Sequence, residues 1–502
     1  RYIPSQFYAA YEGMQEVEID ENAGFSINFE HAFPYQAFML IINERFVGEF
    51  VLDQGFEMEI DIQKIRKPNP LYTPKTIGPD HEANELIRKH RIYTAMQRPM
   101  QNMKSRKILK DEKLSWEEKV KSLKSIHAEN HAADKRYLDK YPHDYGWLAL
   151  DKTKATYYAE MLDLYMGKEI EVEFLDSILN YKPLSLNLKS LSYYRSLHRF
   201  YRSISIEDRL SLLKSYLGKD YPAEDEQGLI DDFLSVYKKR LEKKEYDKET
   251  FTAGRIKYID PYKEKIDAIR DASFSKKLSK LPQEKADLIR YAGQPGALKA
   301  REAYLSKMIS QMDTSPIKNK MQQDLKVLQN KIAELDKLIG KGQELNQAHP
   351  LGTHLLDLED KGPLYISKDT EVEAFIENVR KQYPEKAIIF DVWATWCGPC
   401  LADFRNSKEV KEQMKGLPVE VVYLCMEDNG GSNTDSWKET VANKGSKGTH
   451  IFMPRELAVK FMNHFDFNYY PSYLFIDREG KQDKKFIKRI SMIDVQKLEK
   501  RL

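Results

Sequence analysis

The chain has 502 residues, more than a single hydrophobic core usually organises, so several domains are expected. Lys plus Arg total 80 and Asp plus Glu 78, a near balance that argues against a general nucleic-acid or anionic-membrane surface. Apolar residues at 41% and charged residues at 31% describe a solvated globular protein, and three cysteines exclude a disulfide-stapled scaffold.

Residues 1–66 read as strands. "FEMEIDI" alternates Phe56, Met58, Ile60 and Ile62 with Glu57, Glu59 and Asp61. "GFSINFE" alternates Phe25, Ile27 and Phe29, and "QAFMLII" and "RFVGEFVL" flank a turn at Asn43-Glu44. Period-2 alternation is the mark of a half-buried antiparallel sheet, and a small all-β, sandwich-like domain is expected. Residues 67–80 carry Pro68, Pro70, Pro74 and Pro79 and read as a linker, since prolines at this density suit neither a helix interior nor a central strand.

Residues 81–341 read as an all-α region. Ser315-Pro316 is a good N-cap and first-turn pair, and Ile317, Met321, Leu325, Leu328, Ile332, Leu335 and Ile339 follow at spacings of three and four up to a stop at Gly340. "HAENH" (127–131) is not a zinc-binding H-E-x-x-H and reads as a solvated helix face. "YYRSLHRFYR" (193–202) separates Tyr193, Leu197 and Phe200 from Arg195, Arg199 and Arg202, which is a packing helix rather than a nucleic-acid surface. Residues 342–352 read as a second linker.

From 353 to 502 strands alternate with helices: "AIIFDVW", "VEVVYLCM" and "THIFM" as strands, "CLADFRNSKEVKEQM", "DSWKETVAN" and "RELAVKFMNHF" as helices, then a hairpin around Arg478-Glu479-Gly480 and a last helix. That order predicts an α/β sheet covered on both faces. No stretch reaches the ~18 apolar residues of a membrane span. The chain begins at Arg1, not Met, and is read as processed or trimmed, so the lack of a targeting segment leaves the compartment open.

The chemistry concentrates in "FDVWATWCGPCLADF" (390–404). Cys397 falls at the end of a strand and the start of a helix, where free N–H groups and the helix dipole favour a thiolate. Cys400 lies one turn further on, within reach of the first sulfur. Gly398 permits the tight entry, and Pro399 suits the first helical turn. A two-step exchange follows, in which Cys397 attacks a disulfide and Cys400 resolves the mixed disulfide. Asp391, inside the apolar strand, is expensive unless paired or protonated, and is the candidate to exchange a proton with Cys400. A zinc site needs four ligands, whereas only Cys425 and scattered histidines remain. Two inert buried cysteines are the bland alternative. Cys425, alone in a strand, reads as a small core residue. Trp393 reads as core and Trp396 as a flat apolar wall for substrate.

"FDVWATWCGPC" resembles the active-site strand and turn of the thioredoxin superfamily, with Asp391 at that family's buried aspartate. "NYYPSYLFIDREGK" resembles the strand with the family's cis-proline, which implies that Pro471 faces the cysteines and that Tyr470 offers its backbone to substrate. The segment between them, longer than in thioredoxin itself, resembles the insert of the TlpA/ResA-like branch. The architecture resembles that of large multidomain Bacteroidetes members. Tyr423 stands where thioredoxin has a lysine partner for the aspartate, Ser472 follows Pro471 where Thr is usual, and no kinking proline follows the motif.

The resemblance implies a thioredoxin-like domain over 353–502. It also implies a thiol–disulfide oxidoreductase acting as a reductase of protein disulfides, with an upstream dithiol electron donor and no cofactor or metal. Its expected place is the bacterial periplasm or outer cell envelope, with room for a membrane anchor outside this chain. Cys397, Cys400 and Asp391 would be catalytic. Trp396, Gly398, Pro399, Tyr470 and Pro471 would bind substrate. A disulfide oxidase or isomerase is the first alternative. The second is an envelope partner-binding protein with an accessory redox domain.

Overall fold

The computed structural model describes residues 2–4, 24–26, 35–42, 45–61, 63, 74–97, 101–111, 113–166, 170–242, 244–295, 298–341, 343–428 and 431–502. The chain forms two compact units, Arg1–Gly293 with Asp313–Lys318, and Gln294–Met312 with Asn319–Leu502.

In the first unit, β1 (Tyr2–Pro4), β2 (Gln36–Ile42) and β3 (Arg45–Leu52) form an antiparallel three-stranded sheet, and β4 (Glu57–Glu59) pairs with β5 (Lys75–Ile77). The expected sandwich is not formed. The alternation is real, since Met58 turns inward between exposed Glu57 and Glu59. But Ala37 and Val51 pack against Ala83 and Leu86 of α1 (His81–Gln97), and Phe38, Leu40 and Phe50 pack on Phe56, Met58 and Ile60. Period 2 reports that a face is buried, not what covers it: here α1 covers the Ala37 and Val51 face, while the segment with Met58 covers the Phe38, Leu40 and Phe50 face. Ile27, Phe29, Asn43, Glu44 and Ile62 lie outside the described residues, as do residues 67–73 of the proline-rich stretch. The rest of that stretch is not a free linker. It carries β5, and the Asp80 carboxylate accepts the N–H groups of Asp53, Gln54 and Gly55 at 2.7–3.0 Å.

Helices follow: α2 (Gln101–Lys110), α3 (Trp116–Lys140), α4 (Trp147–Leu164), α5 (Val172–Asn180), α6 (Leu188–Arg202), α7 (Ile206–Asp220), α8 (Glu224–Leu241), α9 (Lys248–Tyr258), α10 (Lys263–Leu278) and α11 (Gln283–Ala292). Ser115 with Glu118 and Asn187 with Ser190 close capping boxes at α3 and α6, satisfying N–H groups that the first turn leaves free. α6 is the packing helix expected: Tyr193 and Leu197 are buried, and Arg199 and Arg202 pair with Asp163 and Asp271. "HAENH" is corrected. His131 is exposed, but His127 is buried and its Nε2 meets Glu160 of α4 at 2.8 Å.

The second unit holds α12 (Leu298–Ser310), most of α13 (Pro316–Lys341) and an eight-stranded sheet. The strands are β6 (Gln343–His349), β7 (Gly352–Leu358), β8 (Gly362–Ile366), β9 (Ala387–Trp393), β10 (Val419–Met426), β11 (Thr449–Met453), β12 (Ser472–Ile476) and β13 (Gln482–Asp483). Their order is β13-β12-β9-β10-β11-β8-β7-β6. β9, β10, β11 and β8 run parallel, and the other pairs are antiparallel. The expected linker 342–352 is therefore largely an edge strand. "QELNQAH" reads as linker because an edge strand can stay polar while its backbone pairs on one side. The stop read at Gly340 falls one residue early, since α13 runs to Lys341.

All seven residues of β9 are buried, which explains its unbroken apolar run. α14 (Val372–Gln382) and α18 (Arg455–His464) cover one face through Phe375 and Phe461. α15 (Gly398–Asn406) and α17 (Thr434–Lys444) cover the other through Leu401, Phe404 and Trp437. Ile339 of α13 packs on that second core, and Lys299 of α12 reaches Asp336 at 3.3 Å and Glu439 of α17 at 3.5 Å.

Candidate active site

β9 carries Asp391 and Trp393 to the sheet's C-terminal edge, and the chain turns there through Ala394, whose carbonyl accepts the Cys397 N–H at 3.0 Å. Cys397 is the N-cap of α15. Its Sγ accepts the N–H of Cys400 at 3.2 Å, and its carbonyl accepts the N–H of Leu401. A sulfur at this place sits where orphan N–H groups stabilise negative charge. Cys397 and Cys400 form a disulfide. Cys400 is fully buried and Cys397 is 3% exposed, beside exposed Gly398 and Pro399.

Trp396 stands 51% exposed at the rim, and its Nε1 donates to both carboxylate oxygens of Asp428, at 3.0 and 2.9 Å. Thr395 N–H donates to the hydroxyl of Ser432, which fixes the same turn from the other side. The Tyr470 ring lies edge-on to Trp396 at 5.7 Å, and the Tyr470–Pro471 peptide is cis. Exposed Tyr469 and Met492 extend the apolar surface of this unit. The structure thus brings Trp396 and Tyr470 together beside the dithiol turn.

Asp391 is fully buried and neither carboxylate oxygen has a hydrogen-bond partner. Burial drives its carboxyl well above the usual range; Asp403 adds to the rise, and Lys411 opposes it. The register places Tyr423 of β10 and Tyr473 of β12 on either side of it. Trp393, Tyr423, Tyr473, Cys397 and Cys400 pack in one core, on the face that Asp391 shares with Ile389 and Trp393 by the two-residue period of the strand.

Three further groups complete this buried polar cluster, and none was picked out from the sequence. Lys411, on α16 (Lys408–Gln413), donates from Nζ to the Tyr423 hydroxyl at 2.7 Å, and burial brings its pKa down to about 8. Lys411 thus acts on the aspartate through its charge and not through a hydrogen-bond chain, since Tyr423 makes no hydrogen bond to Asp391. Asp403 of α15 has hydrogen-bond donors on both carboxylate oxygens. It accepts from Tyr473 OH at 2.7 Å, from Ile490 N–H at 3.0 Å, and from the N–H and hydroxyl of Ser491. His450 stacks on Tyr423 at 4.9 Å and donates from Nε2 to the Ser446 carbonyl; burial takes its pKa down to about 3, so the ring is neutral. Asp403 was discoverable, because Cys400, Asp403 and Phe404 share one face of the helix and an acid there is out of place. Lys411 was not, because nothing local ties it to β10.

Cys425 is fully buried in β10, level with Trp393 of β9, and burial pushes its thiol well up. Among the described residues no group of three or more His, Cys, Asp or Glu is arranged to hold a metal, and no helix is long and apolar enough to cross a membrane.

Residues 377–502 match the Redoxin family. A 41-residue segment is 49% identical to Thioredoxin-1 of Caenorhabditis elegans, covering 8% of this chain and 36% of that one, so the chain spans about a third of the length of this curated relative. A solution structure from Bacteroides vulgatus, described as that of a thiol-disulfide oxidoreductase, is 30% identical over 24% of this chain and 74% of its own, with a TM-score of 0.21. The exposed lipoprotein thioredoxin of Streptococcus pneumoniae is 20% identical over 24% and 88%, with a TM-score of 0.20. At such scores the two structures carry no weight here, and the assignment rests on the family match together with the disulfide at the start of α15. Residues 377–502 are thus a Redoxin domain, of the thioredoxin-like oxidoreductase kind.

Proposed function

We propose that the protein reduces protein disulfides through a Cys397/Cys400 dithiol. The observation that carries this is the pair's place at the N-terminus of α15, where the first sulfur already accepts a backbone N–H from the second cysteine. In the dithiol state, Cys397 as thiolate attacks one sulfur of a substrate disulfide. The substrate S–S bond breaks, a mixed disulfide forms, and one substrate thiolate leaves. Cys400 then loses its proton to the ionised form of Asp391 and attacks Cys397. The intramolecular disulfide closes, the second substrate thiolate leaves, and two electrons have passed to substrate. Regeneration needs an upstream dithiol donor.

Asp391 suits the acceptor role because burial raises its carboxyl towards the range in which a thiol can hand over a proton. Exposed Trp396, with Gly398, Pro399, Tyr470 and Pro471, forms the surface against which an extended substrate segment lies. The resemblance of 353–502 to the TlpA/ResA-like branch supports a place in the periplasm or outer envelope.

A Cys400→Ser variant is expected to retain a mixed disulfide on Cys397 when incubated with envelope extracts, and Cys397→Ser to trap nothing. Failure to recover any disulfide-linked protein, together with no reduction of insulin disulfides by the wild type, would overturn the assignment.

A further inference from the structure

Within the first unit a cavity of about 740 Å³ opens between α3, α4 and the segment that follows α5. Sites for small organic molecules usually measure about 300–1,000 Å³. Two helical stripes build it. Lys124, His127, Ala128 and His131 recur at spacings of three and four along α3, and Trp147, Leu150, Lys154, Tyr157 and Tyr158 do so along α4. Tyr181 and Leu184 supply a third wall, and it is fastened. Asp151 of α4 accepts from Tyr181 OH at 2.6 Å and from Leu184 N–H at 3.1 Å, and Lys285 Nζ donates to the Tyr181 carbonyl at 2.9 Å. A wall held in this way is in place before any ligand arrives, which lowers the cost of binding.

The lining is rich in rings. Tyr158 meets Tyr181 at 5.1 Å and Tyr157 at 5.5 Å, Tyr157 meets His127 at 4.8 Å, and half-buried Trp147 is braced by Tyr35 at 5.1 Å. Aromatic walls suit a flat, ring-bearing ligand, because ring-on-ring contact adds to the area buried. The polar groups then select its charge. Lys154 Nζ lies over the rings of Tyr158 and Tyr181, at 5.7 and 5.1 Å, and Lys124 Nζ over Phe174 at 5.5 Å. Lys182 is spent on Glu284 at 2.7 Å, and Asp151, the one acid among the described lining residues, is taken up by the bonds given above. A cationic ligand would compete with Lys154 for ring faces that it already covers. An acid meets two exposed ammonium groups whose stems can stay on the rings while their N–H groups turn to it. Burial takes the Tyr157 hydroxyl up to about 12, so it stays protonated as a donor. His127, 6% exposed, keeps Nε2 on Glu160, and its buried Nδ1 has no hydrogen-bond partner.

We propose that this cavity binds a flat aromatic acid of metabolite size. The ring system of the ligand lies against Trp147, Tyr157 and Tyr158, and its carboxylate accepts from Lys154 and Lys124. The site is built from the first unit alone and uses no residue of the dithiol, so its test does not depend on the redox assignment.

The test is isothermal titration of the full chain with three probes that share one ring system: naphthalenecarboxylate, the neutral naphthalenecarboxamide and the cationic naphthylmethylammonium. The expected result is saturable one-to-one binding of the carboxylate, with the amide about tenfold weaker, as for loss of one charge-assisted hydrogen bond, and the ammonium weaker still. Lys154→Gln should weaken the carboxylate about tenfold and leave the amide nearly unchanged, whereas Tyr157→Ala should weaken both. Lys154 is exposed, so its substitution tests the site even if Tyr157→Ala fails to fold. Lys214→Gln, which alters an exposed ion pair in the same unit, should leave binding unchanged. No saturable binding of the carboxylate, binding no tighter than that of the amide, or a carboxylate-to-amide ratio that Lys154→Gln does not move would overturn the proposal.

Discussion

Asp391→Asn isolates what burial does to the acid beneath the dithiol. The carboxyl is fully buried, has no hydrogen-bond donor, and is held protonated above its ordinary 3.8. Between 3.8 and its folded pKa the native state keeps a proton that the unfolded chain has released. Wild-type stability must therefore fall as pH rises through that window, by about 1.4 kcal/mol per pH unit relative to a chain lacking the group. Asparagine cannot ionise. Any fixed difference in how it packs moves the two curves apart equally at every pH and leaves this slope intact. At about 2–4 °C per kcal/mol for a unit of this size, the variant's advantage should grow by roughly 3–5 °C in Tm for each pH unit above about 4. The growth should stop where the wild-type carboxyl finally ionises. Scanning calorimetry of both oxidised proteins from pH 4 to 9 reads it directly. Parallel curves across pH 4 to 7 would mean that Asp391 ionises as an ordinary surface acid, and its role as acceptor for Cys400 would fall with that result.

Lys411→Met removes the buried charge that opposes the rise of Asp391, so the divergence just described should continue to higher pH. The acid limb of the disulfide-reduction rate should move the same way; a pH–rate profile identical to wild type would disconnect Lys411 from the acid. Asp403→Ala strands the Tyr473 hydroxyl and the Ile490 and Ser491 N–H groups, and should cost about 3–5 kcal/mol in urea denaturation. A loss under about 1 kcal/mol would show that this network is not holding α15. A fragment limited to 353–502 lacks β6 and the Ile339 contact, and should be less stable than 294–502 by at least the ~1 kcal/mol that a partly buried isoleucine contributes. Equal denaturation midpoints would show that α12, α13 and β6 are dispensable to the Redoxin domain.

The dithiol turn was legible because everything that makes it lies within a few residues. An apolar run long enough for a buried strand, a Gly-Pro pair suited to a first helical turn and two cysteines one turn apart all report local backbone geometry. The acid at 391 was visible as a violation, since charge inside such a run demands an explanation. The strand and helix order of 387–502 was likewise carried by periodicity, including the closing hairpin. The N-terminal sandwich was not, because alternation is the same whether a sheet or a helix lies opposite, and opposite Ala37 and Val51 it is the helix α1. The linker at 342–352 failed for a related reason, since an edge strand binds through its backbone and leaves its side chains free to be polar.

Local sequence determined where the thiols stand and which of them caps the helix. Only the tertiary structure decided what surrounds them. Parallel pairing of β9 with β10 sets Tyr423 beside Asp391, and the fold of α16 back over the sheet brings Lys411 to that tyrosine. The same holds for His127, which meets Glu160, 33 positions further along the chain, only when α3 and α4 pack. Spacing along a chain encodes direction and face; which charges share a low-dielectric interior depends on contacts made across it, and those fix how readily each group holds its proton.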